Sequence, residues 1–285
     1  MVPIRQWPRV AQLVFSLIFA LASIAICVGA YRWLVMGALE YWFQLSGNVS
    51  VAIRRFGTIA MLFTGYTLFA RFYERRRIRE FAFKPAAILA SAFTGALLIS
   101  LTIAALFLLG NYQFTQYRGF GLTAGVIGTL FVGVLVEEMI FRGIVFRLFE
   151  QHFGTAWAIV IPSTLFGLAH LANDGATFMT LLSVASLGAF WTLIYVWSRN
   201  IWVVSANHAA WNTAIFLTGL PLSGQTEWRS AAPLESSYQG SALLTGGAFG
   251  PEDSIINVVL VGVVVLALWV WGWRRGLLNA RVTAA

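Results

Sequence analysis

Long uncharged apolar runs recur along this chain, and they constrain its fold more than any other feature. Crossing a hydrocarbon core of about 30 Å takes ~20 helical residues. The runs are continuously apolar and do not alternate with period two, which favours helices over a barrel. Only 11% of the 285 residues are charged, against roughly 25% in soluble domains. The sequence therefore predicts an all-α fold, a polytopic membrane helix bundle.

We predict about eight transmembrane helices, at residues 10–31, 56–73, 85–110, 120–141, 157–172, 177–197, 200–219 and 254–273. They divide the chain into four regions. These regions are N-terminal transmembrane helices (1–119), a core (120–219), an extracytoplasmic loop (220–253), and a last transmembrane helix with a short tail (254–285).

Basic residues predict the orientation of the helices. The segment RFYERRRIREFAFK, residues 71–84, carries six basic and two acidic residues, and cytoplasmic loops are enriched in Lys and Arg. Alternation of the helices then places the 220–253 loop outside and both termini in the cytoplasm. The basic residues near the termini that fit this side are Arg5, Arg9, Arg274 and Arg275. We predict an integral protein of the cell (inner) membrane, surrounded by lipid.

Two compositional features exclude other classes of site. The net charge of +8 comes from basic residues in short loops between spans, where they set topology, so nucleic acid is not an expected partner. The single cysteine, Cys27, excludes an internal disulfide, and no thiolate zinc motif is present. By contrast, the spacing of Gly121, Gly125 and Gly128 predicts a face on which another helix packs closely.

Polar side chains inside the predicted spans are the strongest signal of function. Each ionisable group there costs about 2.5–3.5 kcal/mol, so such groups usually face a protein cavity and serve a function. The candidates are Glu137, Glu138, Arg142, His170, His208 and Asn212.

Helical spacing predicts how these groups are arranged. Glu138 and Arg142 are four residues apart and can form an ion pair. Glu137 points about 100° away, which leaves it without a partner in its own helix and suits it to acid–base chemistry. If the chain turns near Gly154, Glu137 lies 17 residues before the turn and His170 lies 16 after it, at a similar height.

Two chemistries fit these groups. A glutamate with a histidine can deprotonate water, while His208 and Asn212, four residues apart on one face, donate hydrogen bonds to a developing oxyanion. Peptide hydrolysis needs both parts. Alternatively, Glu137, His170 and His208 supply enough ligands for a catalytic zinc ion.

Three short motifs resemble those of a known family. EEMIFR (137–142), FGLAH (166–170) and HAAWN (208–212) resemble the EExxxR, FxxxH and HxxxN motifs of the CPBP intramembrane proteases. That family includes the type II CAAX prenyl endopeptidases and the bacterial Abi, or bacteriocin-immunity, proteins. The resemblance makes 120–219 a catalytic core and implies an endopeptidase that cleaves a membrane-associated peptide or protein.

The resemblance also implies roles for single residues. Glu137 and His170 would activate the water, His208 and Asn212 would form the oxyanion site, and Glu138 and Arg142 would support them. A metal-free mechanism is favoured over zinc because Asn212 is a better amide donor than metal ligand.

Two other functions stay open at this point. One is a non-catalytic membrane scaffold or bacteriocin-immunity protein that keeps the polar network for packing and partner binding. The other is a proton-coupled transporter, because intramembrane Glu and His also form proton relays. Nothing in the sequence identifies a prenyl group on the substrate.

Overall fold

A computed structural model describes residues 8–45 and 47–278. The prediction that Arg5 marks a cytoplasmic terminus therefore concerns a residue outside the described part of the chain. The helices are α1 (Arg9–Ala30), α2 (Met36–Phe43), α3 (Gly47–Leu68), α4 (Pro85–Leu108), α5 (Thr123–Glu138), α6 (Arg147–Phe153), α7 (Thr155–His170), α8 (Phe178–Ser198), α9 (Ile201–Thr218), α10 (Ala242–Thr245) and α11 (Ile255–Arg274).

Several of these helices are suited to cross a membrane. The stretches long and apolar enough, by length and composition, are Arg9–Phe43, Pro85–Leu108, Thr123–Phe153, Phe178–Ser198 and Ile255–Arg274. A helix also occupies each of the other predicted spans, but α7 has only 16 residues. The protein is a nearly all-α integral membrane protein, and the count of eight spans stays a prediction.

In the described part of the chain, π-helical segments directly follow α1, α3 and α5. They are Tyr31–Val35, Phe69–Tyr73 and Met139–Phe146. The third follows Glu138 directly and joins α5 to α6, so the polar motif lies where the helical repeat changes. Such π segments are frequently found at functional sites.

A two-stranded antiparallel sheet is the main departure from the all-α prediction. Strand β1 (Tyr112–Tyr117) pairs with β2 (Leu234–Tyr238), from Tyr112 opposite Tyr238 to Tyr117 opposite Leu234. The strands lie in two loops more than 100 residues apart in the sequence. Pairing over such a distance leaves no local signal, which is why the sequence did not predict it.

Glycines allow the closest helix contacts. A Cβ on Gly95 of α4 would lie 2.3 Å from the backbone oxygen of Asn207 in α9, and one on Gly167 of α7 would lie 2.9 Å from the oxygen of Leu181 in α8. The predicted packing face of α5 is wrong for Gly121 and Gly125, since nothing lies within 4 Å of a Cβ built there. Sequence spacing shows which residues share a face but not which face meets a neighbour.

Ion pairs connect loops and helices at the end of the bundle near residue 74. Glu74 lies 2.7 Å from Arg147, Glu80 lies 2.6 Å from Arg76, and Glu150 pairs with the Arg199 guanidinium at 2.5 Å. Burial alone would raise the pKa of Glu80, but hydrogen bonds and charge from Arg76 lower it to about 2. The Glu74 pair joins the loop after α3 to α6, the Glu80 pair lies within that loop, and the Glu150 pair joins α6 to the α8–α9 turn.

We expect Gly95→Ala to destabilise the protein, because the added methyl group would force α4 away from α9. Overpacking of this kind costs about 1–3 kcal/mol. Gly262→Ala in α11 is the matched control, since nothing lies within 4 Å of a Cβ there and Ala favours a helix. Thermal unfolding in detergent should show a lower midpoint for Gly95→Ala only; equal midpoints would contradict the close contact.

Candidate active site

Glu138 is the centre of the polar cluster. Its side chain is completely buried, and its Oε1 accepts hydrogen bonds from Arg142 Nη1 at 3.1 Å and from His208 Nδ1 at 2.8 Å. The Arg142 pair was predicted from the spacing of α5. The bond to His208 was not, because it joins α5 to α9.

Aromatic rings and a backbone carbonyl hold Arg142 in place. Its Nη2 donates to the backbone oxygen of Gly188 in α8 at 2.9 Å. The guanidinium carbon lies 5.0 Å from the centre of the Phe166 ring and 5.8 Å from that of Trp191, within the range of cation–π attraction. Arg142 thereby links α7 and α8 to the Glu138 carboxylate.

His208 lies between both glutamates and a tryptophan. Its ring stacks on Trp191, with centroids 3.6 Å apart and planes inclined by 19°. A carboxylate can only accept, so Nδ1 donates its proton to Glu138. Its Nε2 lies 3.9 Å from Glu137 Oε2. The side chain of Glu137 is 39% exposed while that of His208 is only 4% exposed, so a partly exposed carboxylate lies next to a buried ring.

His170 occupies the last position of α7. Its Nδ1 lies 2.9 Å from the backbone oxygen of Phe166. A carbonyl accepts only, so Nδ1 carries the proton and Nε2 keeps a free lone pair. Phe166 stands between the two histidines, with ring centroids 4.5 Å from His170 and 6.3 Å from His208. Within the described residues no hydrogen bond or ion pair joins Glu137 to His170.

Asn212 lies one turn after His208 on α9. Its Oδ1 is buried and has no hydrogen-bond partner in the described part of the chain, and the same is true of Glu138 Oε2. Buried polar atoms are nearly always satisfied, so each exception calls for an explanation such as a catalytic role or an ordered water molecule. The cluster therefore has two buried oxygen atoms whose hydrogen-bonding capacity is not used by the described residues.

The structure adds residues that sequence reasoning missed. Trp191 and the Gly188 carbonyl belong to α8, where no charge or motif marks them. Trp211 lies within HAAWN but reads as ordinary packing. Glu252 reads as one of several loop acids, although it is buried. These residues can be recognised only from contacts between segments that are far apart in the sequence.

A zinc ion would need several ligands brought together. Across residues 8–45 and 47–278, no group of three or more His, Cys, Asp and Glu side chains is arranged to hold a metal ion. The set Glu137, His170 and His208 thus does not form a ready metal site. The mechanism proposed below takes no step through a metal.

Part of the chain matches a known protein family. Residues 119–214 match the family described as "Type II CAAX prenyl endopeptidase Rce1-like". The resemblance predicted from the three motifs is confirmed, since all three motifs lie within the Rce1-like segment. The match covers α5 to α9 and leaves the N-terminal helices and the end of the chain outside.

A bacterial relative overlaps the chain in part. The protein named "Putative membrane peptidase YdiL", from Bacillus subtilis (strain 168), is 29% identical over 106 residues, which make up 37% of this chain and 41% of that relative. The chain thus matches about two fifths of the relative's length. No solved structure is significantly similar to the chain.

We expect Arg142→Leu to destabilise the protein strongly, because it leaves the Glu138 charge buried without its cation. Breaking one partner of a buried pair costs about 3–5 kcal/mol. Arg54→Leu is the control, since Arg54 and Glu40 form a pair whose side chains are 41% and 33% exposed, and exposed pairs contribute about 0–1 kcal/mol. Unfolding midpoints measured in one detergent should separate the two variants; equal losses would argue against a buried charge cluster.

Proposed function

We propose that this protein is an intramembrane endopeptidase that hydrolyses a peptide bond of a membrane-associated peptide or protein. One observation carries the proposal: Glu137, Glu138 and His208 converge inside an apolar bundle, in the segment that matches the Rce1-like family. Water-activating and oxyanion-stabilising groups are the two parts that peptide hydrolysis needs.

Glu137 and His170 form the water-activating half of this mechanism. Of the two adjacent glutamates, Glu137 is the partly exposed one, so its carboxylate can contact a water molecule and the substrate. The free Nε2 of His170 accepts a second hydrogen bond from that water. Loss of the water proton to Glu137 yields a hydroxide equivalent that attacks the peptide carbonyl carbon, and the proton then passes to the leaving amine.

His208 and Asn212 form the oxyanion half. As the carbonyl oxygen gains negative charge, the Asn212 amide and a protonated Nε2 of His208 donate hydrogen bonds to it. Nδ1 of His208 already donates to Glu138, so only Nε2 faces the reaction. Glu138 and Arg142 thus act by fixing the ring and balancing its charge.

We also propose that the protein lies in the cell membrane with both termini in the cytoplasm. Strand β1 follows α4 and pairs with β2, so both strands lie on one side of the membrane. The loop before α4 lies at the opposite end, where Arg75, Arg77 and Arg79 are exposed and Glu80 is buried. Exposed cations are typical of the cytoplasmic side.

We expect Glu137→Gln to abolish cleavage while the protein stays folded. The amide has nearly the same shape but cannot take a proton from water, and loss of a general base typically costs 10²- to 10⁴-fold. The measurement is cleavage of a membrane peptide library by purified protein in liposomes, read by mass spectrometry of new termini.

The matched control is Glu235→Gln, which changes a carboxylate paired with Arg118 on the sheet and should leave turnover unchanged. A Glu137→Gln variant that cleaves at the wild-type rate would refute the enzyme. A cellular phenotype preserved in Glu137→Gln would instead favour the non-catalytic scaffold.

A metal-free mechanism also predicts the response to chelators. We expect purified protein to retain its turnover after dialysis against EDTA and to contain far less than one zinc ion per chain by elemental analysis. Stoichiometric zinc that is lost in His170→Ala, together with activity restored by added zinc, would establish the zinc alternative.

A further inference from the structure

Glu252 is a buried carboxylate that the mechanism above does not use. It lies in the short 3-10 turn Pro251–Asp253 ahead of α11 and is 2% exposed. The position is outside residues 119–214, which match the Rce1-like family. Its backbone oxygen accepts a bond from Asn257 Nδ2 at 3.0 Å, and the side-chain oxygen of Asn257 accepts from Thr102 of α4. The turn is therefore fixed to two helices.

The two carboxylate oxygens of Glu252 join separate parts of the protein. Oε1 accepts from Trp211 Nε1 of α9 at 3.1 Å. Oε2 accepts from the Ser223 hydroxyl at 2.6 Å, in the turn after α9. Both oxygens are thus satisfied, which a buried carboxylate requires.

Each of these partners leads to one half of the candidate site. Trp211 directly precedes Asn212. The Trp211 ring lies edge-on to the Trp191 ring, with centroids 6.1 Å apart, and the Trp191 ring stacks on His208. On the other side, the backbone oxygen of Ser223 accepts from Asn173 Nδ2 at 2.8 Å, three residues after His170. Glu252 therefore connects the helix that carries His208 and Asn212 to the turn that follows His170.

Electrostatics agree with this placement. Burial raises the pKa of Glu252, whereas the hydrogen bond from Ser223, attraction to the His170 ring when that ring is protonated, and the hydrogen bond from Trp211 oppose that rise. The hydrogen bonds of Glu252 thus reach Trp211, next to Asn212, and Ser223, which binds Asn173 in the turn after His170.

We propose that Glu252 is a positioning residue of the candidate active site, which holds the His208–Asn212 face of α9 in register with His170. The inference rests on the proposed peptidase function and deepens it. Catalysis by oriented groups is sensitive to such register, since a displacement of about 1 Å can cost 10²-fold in rate.

The chain supplies a matched control in the next residue. Asp253 is also buried and occupies the same turn, but its oxygens accept from Thr180 and Ser183 near the start of α8. Within the described residues, neither partner forms a hydrogen bond with the histidines or with Asn212. A loss of packing in the turn should follow from a change at either acid, whereas loss of register should follow only from a change at Glu252.

The test compares Glu252→Ala, Glu252→Gln and Asp253→Ala in liposomes with a peptide that the wild type cleaves. We expect Glu252→Ala to lower kcat about 10- to 100-fold with KM within about twofold. Glu252→Gln should recover most of kcat, because its carbonyl still accepts from Trp211 and its amide can donate to the Ser223 hydroxyl. Asp253→Ala should keep kcat near the wild-type value.

A second measurement does not depend on activity. Amide hydrogen exchange should quicken in residues 170–175 and 222–225 of Glu252→Ala, but not of Glu252→Gln. If Glu252→Ala does not fold, Ser223→Ala decides, since it removes one of the two bonds and should lower kcat by a smaller factor.

Three results would overturn the inference. The first is an unchanged kcat in Glu252→Ala or, where that variant does not fold, in Ser223→Ala. The second is an equal loss of kcat in Glu252→Ala and Asp253→Ala. The third is a kcat of Glu252→Gln as low as that of Glu252→Ala. Wild type and Glu137→Gln are assayed alongside. If the peptidase proposal is wrong, the wild type does not cleave the peptide, or the wild type and Glu137→Gln cleave it equally. This outcome differs from failure of the Glu252 inference alone, in which wild type cleaves and Glu137→Gln does not.

Discussion

The shared Glu138 carboxylate is the interaction on which the rest of the site depends. One oxygen accepts from both Arg142 and His208 in an interior where an isolated charge would be prohibitively costly. Arg142 extends the cluster to the Gly188 carbonyl of α8, and Trp191 of the same helix covers His208. Three helices must therefore pack in one register to keep this charge satisfied. The same packing leaves Glu137 beside the His208 ring and partly exposed.

Buried acidic side chains have different partners at the two ends of the bundle. Near residue 74, acids are buried against arginines that join loops to helices, so the charges there stabilise the fold. At the other end, the loop after α9 returns to the bundle and contributes Glu252, whose partners lie beside the site residues. A segment outside the region that matches the Rce1-like family thus binds residues that neighbour the candidate site.

The sequence predicted a large part of the fold and of the site. Helices occupy all the predicted spans, because continuous apolar runs have few other ways to satisfy their backbone in lipid. The pairing of Glu138 with Arg142 followed from helical spacing alone. The sheet between β1 and β2 and the contacts of Gly95 did not follow, and the packing face at Gly121 and Gly125 was wrong. Each of these failures concerns which surfaces meet.

The sequence by itself determined the helical membrane architecture, the three motifs and the residues that share a helix face. These are local properties, set by hydrophobicity and by the 3.6-residue repeat. Only the tertiary structure decided that His208 binds Glu138, that Trp191 stacks on that ring, and that Glu252 reaches the site from the last loop. Such contacts join residues up to 70 positions apart, as between Glu138 and His208. They depend on the relative rotation and register of whole helices, which no short stretch of sequence specifies.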